Sequence, residues 1–374
     1  MKRFSELPLC GLLQETLAKN SLVTPTPVQA LAIPPALEGR DVLATAQTGT
    51  GKTLAFLLPI LERLRNTPAN GSKALVLVPT RELAMQVMES FTMLRPKMGV
   101  NGVLVVGGLS ERPQVTGVRR GAQLVVATPG RLEDLLRRKL IQLPSVEMLV
   151  LDEADRMLDM GFQPAIRAIL GYLPGLRQTM FFSATIEPSV AHLVSRYLKN
   201  PVVVEVGSTT KPAAGVRLQV FEVDTGNKVG LLENLMSKET GTFLVFSRTK
   251  HGTERLAKRL TSAGHDAARI HGDRSQSQRT AALKGFQEGR YRVLVATDVA
   301  ARGIHVENIG HVVNFDLPQV PEDFIHRVGR TGRMDSIGVA STFATPQERP
   351  EIRRIEKALQ IKLERRPLPA MAAR

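Results

Sequence analysis

Ala46-Gln47-Thr48-Gly49-Thr50-Gly51-Lys52-Thr53 forms a complete phosphate-binding turn, set between a strand-like run and a helical one, and the rest of the chain is read outward from it. The apolar run Val42-Leu43-Ala44 has strand length, and Thr53 to Leu64 is an apolar helical stretch interrupted only by Pro59. Gly49 and Gly51 remove the Cβ atoms that would hold a polyphosphate away from backbone N–H groups. The helix N-terminus that follows adds partial positive charge. Read this way, Lys52 reaches the β- and γ-phosphates and Thr53 ligates Mg²⁺, with Ala46, Gln47, Thr48, Gly49, Thr50 and Gly51 wrapped around the phosphates. Ala46 stands where the pattern ordinarily has its first glycine. The bland alternative is a chance glycine turn before a helix, and the remainder of the chain weighs against it.

At 374 residues the chain exceeds the roughly 250–300 at which one core stops growing, so two domains are expected. The hydrophobic fraction of 43% supports two cores, while 4% aromatics and no Trp mean those cores are built from Leu, Val, Ile and Ala. That composition suits parallel α/β sheets. A net charge of +15 and a pI near 10.3 point to a polyanionic partner, nucleic acid first and an anionic membrane surface second. No apolar run approaches the ~20 residues of a membrane-crossing helix, so no membrane association is expected. Met1-Lys2-Arg3 followed by Leu7-Pro8-Leu9-Cys10-Gly11 faintly imitates a lipoprotein leader, but Glu6 and Pro8 interrupt the apolar core such a leader needs. Cys10 is the single cysteine, which excludes an internal disulfide and a cysteine metal cluster and points to the cytoplasm.

In the first half, strand-like runs fall at Val42–Ala44, Ala74–Val78, Gly102–Val106, Leu124–Ala127, Met148–Leu151 and Thr179–Phe182. They alternate with helical patterns such as Glu82–Leu94 and Pro164–Leu170, the mark of a doubly wound parallel sheet. Residues 207–215, Gly-Ser-Thr-Thr-Lys-Pro-Ala-Ala-Gly, have linker composition and separate a first domain, 1–206, from a second, 216–374. The second half repeats the alternation with strands at Thr242–Phe246, Ala267–Ile270, Val293–Ala296, His311–Asn314 and Gly338–Phe343. Residues 1–206 carry 23 basic and 17 acidic side chains, and residues 207–374 carry 27 and 18, so both halves are basic and a ligand spanning both is expected. Arg349 to Leu363 has Ile352, Ile355 and Leu359 at helical spacing and predicts one closing amphipathic helix with a solvated basic face.

At the end of the run Met148–Leu151 comes Asp152-Glu153-Ala154-Asp155. Ligands of open α/β sheets gather at that strand edge, near the phosphate turn. Asp152 suits Mg²⁺ held through phosphates and waters, and Glu153 suits positioning or deprotonating the attacking water. A lone acidic tetrad is more often a solvated loop. Beside Lys52 and Thr53 this one is not alone.

These four residues spell the name of the DEAD-box RNA helicases, and the chain resembles that family over nearly its whole length. Thr26-Pro27-Val28-Gln29 looks like the family's adenine-reading motif, with Phe4 at the place of its upstream aromatic, and Ala46 to Thr53 is similar to its first motif. Pro79-Thr80-Arg81-Glu82-Leu83-Ala84, Gly107-Gly108 and Thr128-Pro129-Gly130-Arg131 resemble its RNA-contacting loops. Ser183-Ala184-Thr185 resembles the motif that links the ATP and RNA sites. In the second half Val245-Phe246-Ser247-Arg248-Thr249, Gln276 with Arg279, Ala296-Thr297-Asp298-Val299-Ala300-Ala301-Arg302-Gly303 and His326-Arg327-Val328-Gly329-Arg330-Thr331-Gly332-Arg333 complete the ordered set. Any one of these matches is weak; the order makes the set strong. Arg248-Thr249-Lys250-His251 and the absence of long extensions look most like the bacterial RhlE-like branch.

The resemblance implies two tandem RecA-like domains, each a mostly parallel sheet flanked by helices. It implies a monomer that takes ATP and Mg²⁺ and binds RNA without reading its sequence; it names no ribosomal or RNA-decay protein partner. Pro79, Thr80, Arg81, Gly108, Thr128, Gly130, Arg131, Arg248, Thr249, Arg279 and Thr297 would contact RNA, with Ser183, Thr185 and His326 in coupling and Gln29, Gly303 and His305 around the nucleotide. Arg330 and Arg333, three apart on what is read as one helical face, suit forked cations that neutralise the transferring phosphoryl. Hydrolysis would then require both halves; phosphate-backbone binding is the alternative for such an Arg-rich segment. Arg81, Arg131, Arg279, Thr128 and the backbone at Gly108 suit sugar-phosphate contacts, which position a strand without reading bases. So few aromatics leave 2′-OH groups and backbone shape to tell RNA from DNA. Two departures stand out. The family's adenine motif begins Gly-aromatic where this chain has Ser21-Leu22, and its Gly-aliphatic-Asp, with Asp on the ribose, is here Gly303-Ile304-His305. The expected function is an ATP-dependent RNA helicase acting locally on short duplexes or RNA-protein complexes. An ATP-dependent RNA clamp with little turnover is the first rival, separated by RNA-stimulated phosphate release. A processive DNA translocase is the second, and no insertion long enough for a strand-separating pin interrupts the motifs.

Overall fold

Short apolar runs buried on both faces make the central strands, and among the described residues every strand pairing is parallel. The computed structural model describes residues 3–46, 49–68, 70–96, 98–186, 188–206, 215–301, 309–332 and 338–369. Two units result, Met1–Thr209 and Thr210–Arg374, and each holds one seven-stranded sheet.

The first unit contains β1 (Val42–Ala46), β2 (Ala74–Leu77), β3 (Gly102–Val105), β4 (Leu124–Ala127), β5 (Met148–Leu151), β6 (Gln178–Ser183) and β7 (Val202–Val206), in the order β3-β4-β2-β5-β6-β1-β7. The two-residue period of a strand decides which layer each side chain enters. Val42, Ala44 and Ala46 of β1 join Ala74 and Val76 of β2 in one apolar layer. Leu43, Leu75 and Leu77 join the other. Helices cover both faces, as a parallel sheet requires. The helix Lys52–Leu64 runs unbroken through Pro59, which has no N–H for the carbonyl four residues back. Its buried face offsets that loss: Phe56 packs on Phe182 of β6 with ring centroids 5.5 Å apart, and each fully buried side chain of this kind contributes about 1.5–3 kcal/mol.

The second unit contains β8 (Val216–Glu222), β9 (Phe243–Phe246), β10 (Ala267–Ile270), β11 (Val293–Ala296), β12 (His311–Asn314), β13 (Gly338–Ala344) and β14 (Glu364–Arg366), in the order β10-β11-β9-β12-β13-β8-β14. The same alternation sends Leu244, Phe246, Leu294 and Ala296 to one layer, and Phe243, Val245, Val293 and Val295 to the other.

Three strands, β7, β8 and β14, add to the runs read from sequence. The closing helix is shorter than the spacing predicts. It spans Arg349–Leu359 and stops at Gln360, which takes a left-handed φ of 51°. Glu356 then accepts from the Leu363 N–H at 2.8 Å and from the Arg365 guanidinium at 2.8 Å, turning the chain into β14 instead of another helical turn. Residues 207–214 of the expected linker lie outside the described residues.

Candidate functional site

In the first unit the motif residues collect at the C-terminal ends of the strands. β1 ends at Ala46, and the turn that follows needs glycine twice. Gly49 and Gly51 have φ of 89° and 88°, left-handed values that side chains disfavour. A Cβ on Gly51 would also overlap the Gln29 side-chain nitrogen. That nitrogen donates to Gly51 O at 3.0 Å, while Gln29 Oε1 accepts from the Thr26 N–H at 2.8 Å and Thr26 Oγ1 donates to Thr50 O at 2.7 Å. The capping box that starts the helix Pro27–Leu37 is therefore also the strut that holds the phosphate turn. Lys52, only 6% exposed, donates from Nζ to Ala46 O at 2.8 Å, so its ammonium is held at the end of β1. Thr53 is half-buried in the first turn of the helix.

Asp152, at the end of β5, is buried, and its Oδ1 accepts from the Glu153 N–H at 3.0 Å. Burial pushes its carboxyl up to about 7; Lys52 pulls against that shift and the neighbouring Glu153 adds to it. Glu153 sits at φ 51°, an uncommon conformation for a side-chain-bearing residue, and its Oε2 accepts from Arg156 Nη1 at 2.7 Å in a buried pair. Asp155 reaches the end of β6. Its Oδ2 accepts from the N–H groups of Ala184 and Thr185, both at 2.9 Å, and from Thr185 Oγ1 at 3.1 Å, while its own N–H donates to Ser183 Oγ at 3.3 Å. The acidic tetrad and the 183–185 loop are one hydrogen-bonded piece. Among the described residues no group of three His, Cys, Asp or Glu side chains is placed to hold a metal. One buried carboxylate and one hydroxyl beside a phosphate cradle fit Mg²⁺ that arrives on phosphates and keeps its waters.

The loops after β2, β3 and β4, three neighbours in the sheet, come together beside this edge. Pro79 and Thr80 are buried, and Thr80 Oγ1 caps the helix Arg81–Leu94 by accepting from the Leu83 N–H at 3.3 Å. The Arg81 guanidinium lies over Gly107 and Gly108, so closely that a Cβ on Gly108 would overlap Nη1. Gly108 itself has φ 75°. Thr128 and Gly130 begin the helix Pro129–Arg137, from which Arg131 donates to Glu111 at 3.1 Å and to Leu109 O at 3.3 Å. Gln114 clamps the same loop: its amide accepts from the Val106 N–H at 3.1 Å and donates to Val106 O and Ser110 O.

In the second unit, Thr249 Oγ1 caps the helix Lys250–Ser262 by accepting from the Gly252 N–H at 2.9 Å. Arg248 is half-exposed, with Nη2 3.6 Å from Glu348. Arg279 lies on the helix Gln276–Gln287, and Thr297 is buried just past β11. Arg327 is almost fully enclosed. It holds Asp298 with two bonds, 2.6 and 2.7 Å, gives Nη1 to Asn314 Oδ1 and Asp316 O, and lies over the Phe246 ring at 5.0 Å.

Two readings change in detail. Arg330 is not on a helical face: the helix Pro321–Val328 ends at Gly329, and Arg330 lies in the turn beyond, buried, with Nε donating to His326 O at 3.2 Å. The chain leaves the helix at Gly329, and Thr331 then bridges to Ile309. Phe4 is tied to Val23 O by its N–H at 3.0 Å, but its ring lies in the apolar core at 3% exposed, and Leu22 packs against the same core. Gln47, Thr48, Gly303, His305 and Arg333 lie outside the described residues. The sequence reading gave no role to Asp155, Arg156, Gln114, Asp316 or the Arg327–Asp298 pair. Most of these stood inside or beside the quoted motifs as opposite charges, and that signal could have found them.

A family model described as DEAD/DEAH box helicase matches residues 26–193, and one described as helicase conserved C-terminal domain matches residues 227–335. The chain is 39% identical over 372 residues to DEAD-box ATP-dependent RNA helicase CshA of Geobacillus kaustophilus, covering 99% of this chain and 79% of that protein. It is 42% identical over 367 residues to DEAD-box ATP-dependent RNA helicase 30 of Arabidopsis thaliana, covering 96% of this chain and 62% of that one. Among solved structures it is similar to S. cerevisiae Dbp5 bound to RNA and ADP BeF3, with a TM-score of 0.89 at 32% identity over 98% of this chain and 96% of that chain. It is equally similar, with a TM-score of 0.89 at 28% identity, to Mss116p bound to ssRNA and AMP-PNP, over 98% of this chain and 79% of that chain.

Proposed function

We propose, from the premise that the chain belongs to the DEAD-box family of ATP-dependent RNA helicases, that it couples RNA-stimulated ATP hydrolysis to local, sequence-independent separation of short RNA duplexes or remodelling of RNA-protein complexes. The observation that carries the reading is the shared strand edge of the first sheet, where the Lys52 ammonium and the buried Asp152 carboxylate act on one another beside a glycine cradle. Lys52 and the backbone of the turn bind and orient the polyphosphate. Thr53 and Asp152 would hold Mg²⁺, which when bound neutralises phosphate charge. Glu153, oriented by Arg156, accepts the proton of the attacking water, and Arg330 of the second unit, with Arg333, stabilises the charge that develops on the phosphoryl oxygens. Gln29 reads the base, and Phe4 supports that segment from the core. Arg81, Thr80, Gly108, Thr128, Arg131, Arg248, Thr249, Arg279 and Thr297 hold the sugar-phosphate chain of RNA. Asp155, through Ser183 and Thr185, ties the hydrolytic loop to the rest of the sheet edge. Within the family we place the chain nearest the RhlE-like branch on Arg248-Thr249-Lys250-His251, acting as a monomer in a bacterial cytoplasm, in keeping with its lone cysteine and with no described helix long and apolar enough to cross a membrane.

The test is phosphate release with and without RNA. Glu153→Gln keeps the side chain's shape and removes the base, so hydrolysis is expected to fall by about 10²–10⁴ while ATP-dependent RNA binding persists. Unchanged hydrolysis would remove Glu153 from the mechanism, and RNA-independent, negligible release by the parent protein would make it a clamp.

A further inference from the structure

We propose that Asp316 is a positioning residue for RNA binding, holding the turn that presents Arg248 and Thr249. Asp316 follows β12 by two residues, and its negative charge would repel a phosphate, so it does not suit direct contact with RNA. Its Oδ2 instead accepts two hydrogen bonds from the turn after β9: the Ser247 hydroxyl at 3.1 Å and the Arg248 N–H at 2.9 Å. The carboxylate is fixed from behind. Lys228, 3% exposed and donating to Phe315 O at 3.0 Å, has Nζ 3.9 Å from the other oxygen, Oδ1. The Asp316 carbonyl is fixed as well, by Arg327 Nη1 at 2.7 Å, and Arg327 in turn lies over the ring of Phe246, the last residue of β9. One residue is thus clamped by its main chain to the enclosed Arg327 and by its side chain to the exposed turn. The Ser247 hydroxyl and the Arg248 N–H thus converge on one carboxylate oxygen. Without the carboxylate the Arg248 N–H loses its acceptor, and the turn loses the orientation that aims Arg248 outward.

The inference rests on the reading of Arg248 and Thr249 as RNA contacts, and one assay on the full chain separates the two claims. RNA-stimulated phosphate release is titrated with RNA at saturating ATP, and with ATP at saturating RNA. Asp316→Ala is expected to raise the half-saturating RNA concentration roughly tenfold, the scale of a lost charge-assisted hydrogen bond, while the Michaelis constant for ATP and the rate at saturating RNA stay near the parent's. Asp316→Asn, which keeps one acceptor oxygen at the same reach, recovers part of the loss. Ser247→Ala has a smaller effect that does not add to that of Asp316→Ala, because both remove the same contact. A purely structural role would instead lower the thermal midpoint and disturb both titrations together, and that result overturns the proposal. So does an unchanged RNA titration for Asp316→Ala when Arg248→Gln raises it. If Arg248→Gln itself leaves the RNA titration unmoved, the RNA role of the turn falls and the proposal falls with it.

Discussion

Single residues decide whether this sheet edge can hold anything, and glycines show it most directly. Gly108 is needed for two separate reasons: its φ of 75° lies in the left-handed region, and the Arg81 guanidinium occupies the space a side chain would take. Gly108→Ala is therefore expected to displace Arg81 and to strain the loop by about 1–2 kcal/mol. RNA titration of phosphate release should show a higher half-saturating concentration with the ATP dependence unmoved. At Gly51 the same pair of constraints faces the nucleotide, because the group that would be overlapped is the Gln29 amide. Gly51→Ala should accordingly weaken nucleotide binding and leave the RNA loops in place, a contrast that equilibrium binding of a fluorescent ATP analogue and of RNA would record on the same sample. Asp155 makes a third case. It satisfies the N–H groups of Ala184 and Thr185 in a buried site, so Asp155→Ala strands donors that each cost about 1–3 kcal/mol when left without an acceptor. Urea unfolding should report the stability loss, and the number of duplexes separated per phosphate released should fall, since the two loops would no longer move as one.

Elements were legible wherever apolar runs were short and bounded. The six runs marked in the first half and the five in the second all became strands, within a residue or two at their ends, because a parallel sheet buried on both faces leaves an uninterrupted apolar run in sequence. The strands that escaped notice lie at or next to a sheet edge. Glu205 interrupts β7, β8 carries Arg217 and Gln219 among its apolar residues, and β14 is Glu364-Arg365-Arg366, charged throughout and held in place by Glu356 and its pairing with β8. No local pattern marks such a strand, because its register comes from a partner more than 140 residues away. The site divides in the same way. Residues whose place is local to a motif, such as Lys52 or Asp152, could be located at the strand edge from sequence, whereas Gln114 and Asp316 act on backbone groups of another loop and needed coordinates. The placement of Arg330 on a helical face failed on an element boundary: the helix ends at Val328 and the chain leaves it at Gly329, one residue before Arg330.

At the scale of the whole molecule, charge and burial set how it responds to solution. A net charge of +15 spread over both units, with contacts to phosphates and none proposed to base edges, predicts steep salt dependence: log affinity for single-stranded RNA should fall against log salt with a slope of about −0.7 per phosphate neutralised, and change little with base sequence. Filter binding at several salt concentrations with two unrelated RNAs checks both halves of that statement. Acid should act on the second unit through His311. This imidazole is 1% exposed, stacked on Phe243 at 4.9 Å and bonded to Ser341 at 2.7 Å, and burial pushes its pKa down from 6.5 to about 4. The folded state therefore prefers the neutral ring. Stability from this preference is complete above pH 6.5 and is lost as pH falls through 4, by an amount on the order of 3 kcal/mol. Urea midpoints for the second unit measured from pH 7 to pH 4 should drop, and His311→Leu should flatten that drop. The order of strands in the first sheet has a consequence for synthesis on the ribosome. β1, which carries the nucleotide turn, pairs with β6 and β7, so Val42 waits for Met180 and Val202 to emerge. A growing chain can assemble β2, β4 and β5 earlier, but the cradle is closed only by the last strands of its unit, and ATP capture by stalled nascent chains should begin abruptly once residue 206 has cleared the exit tunnel.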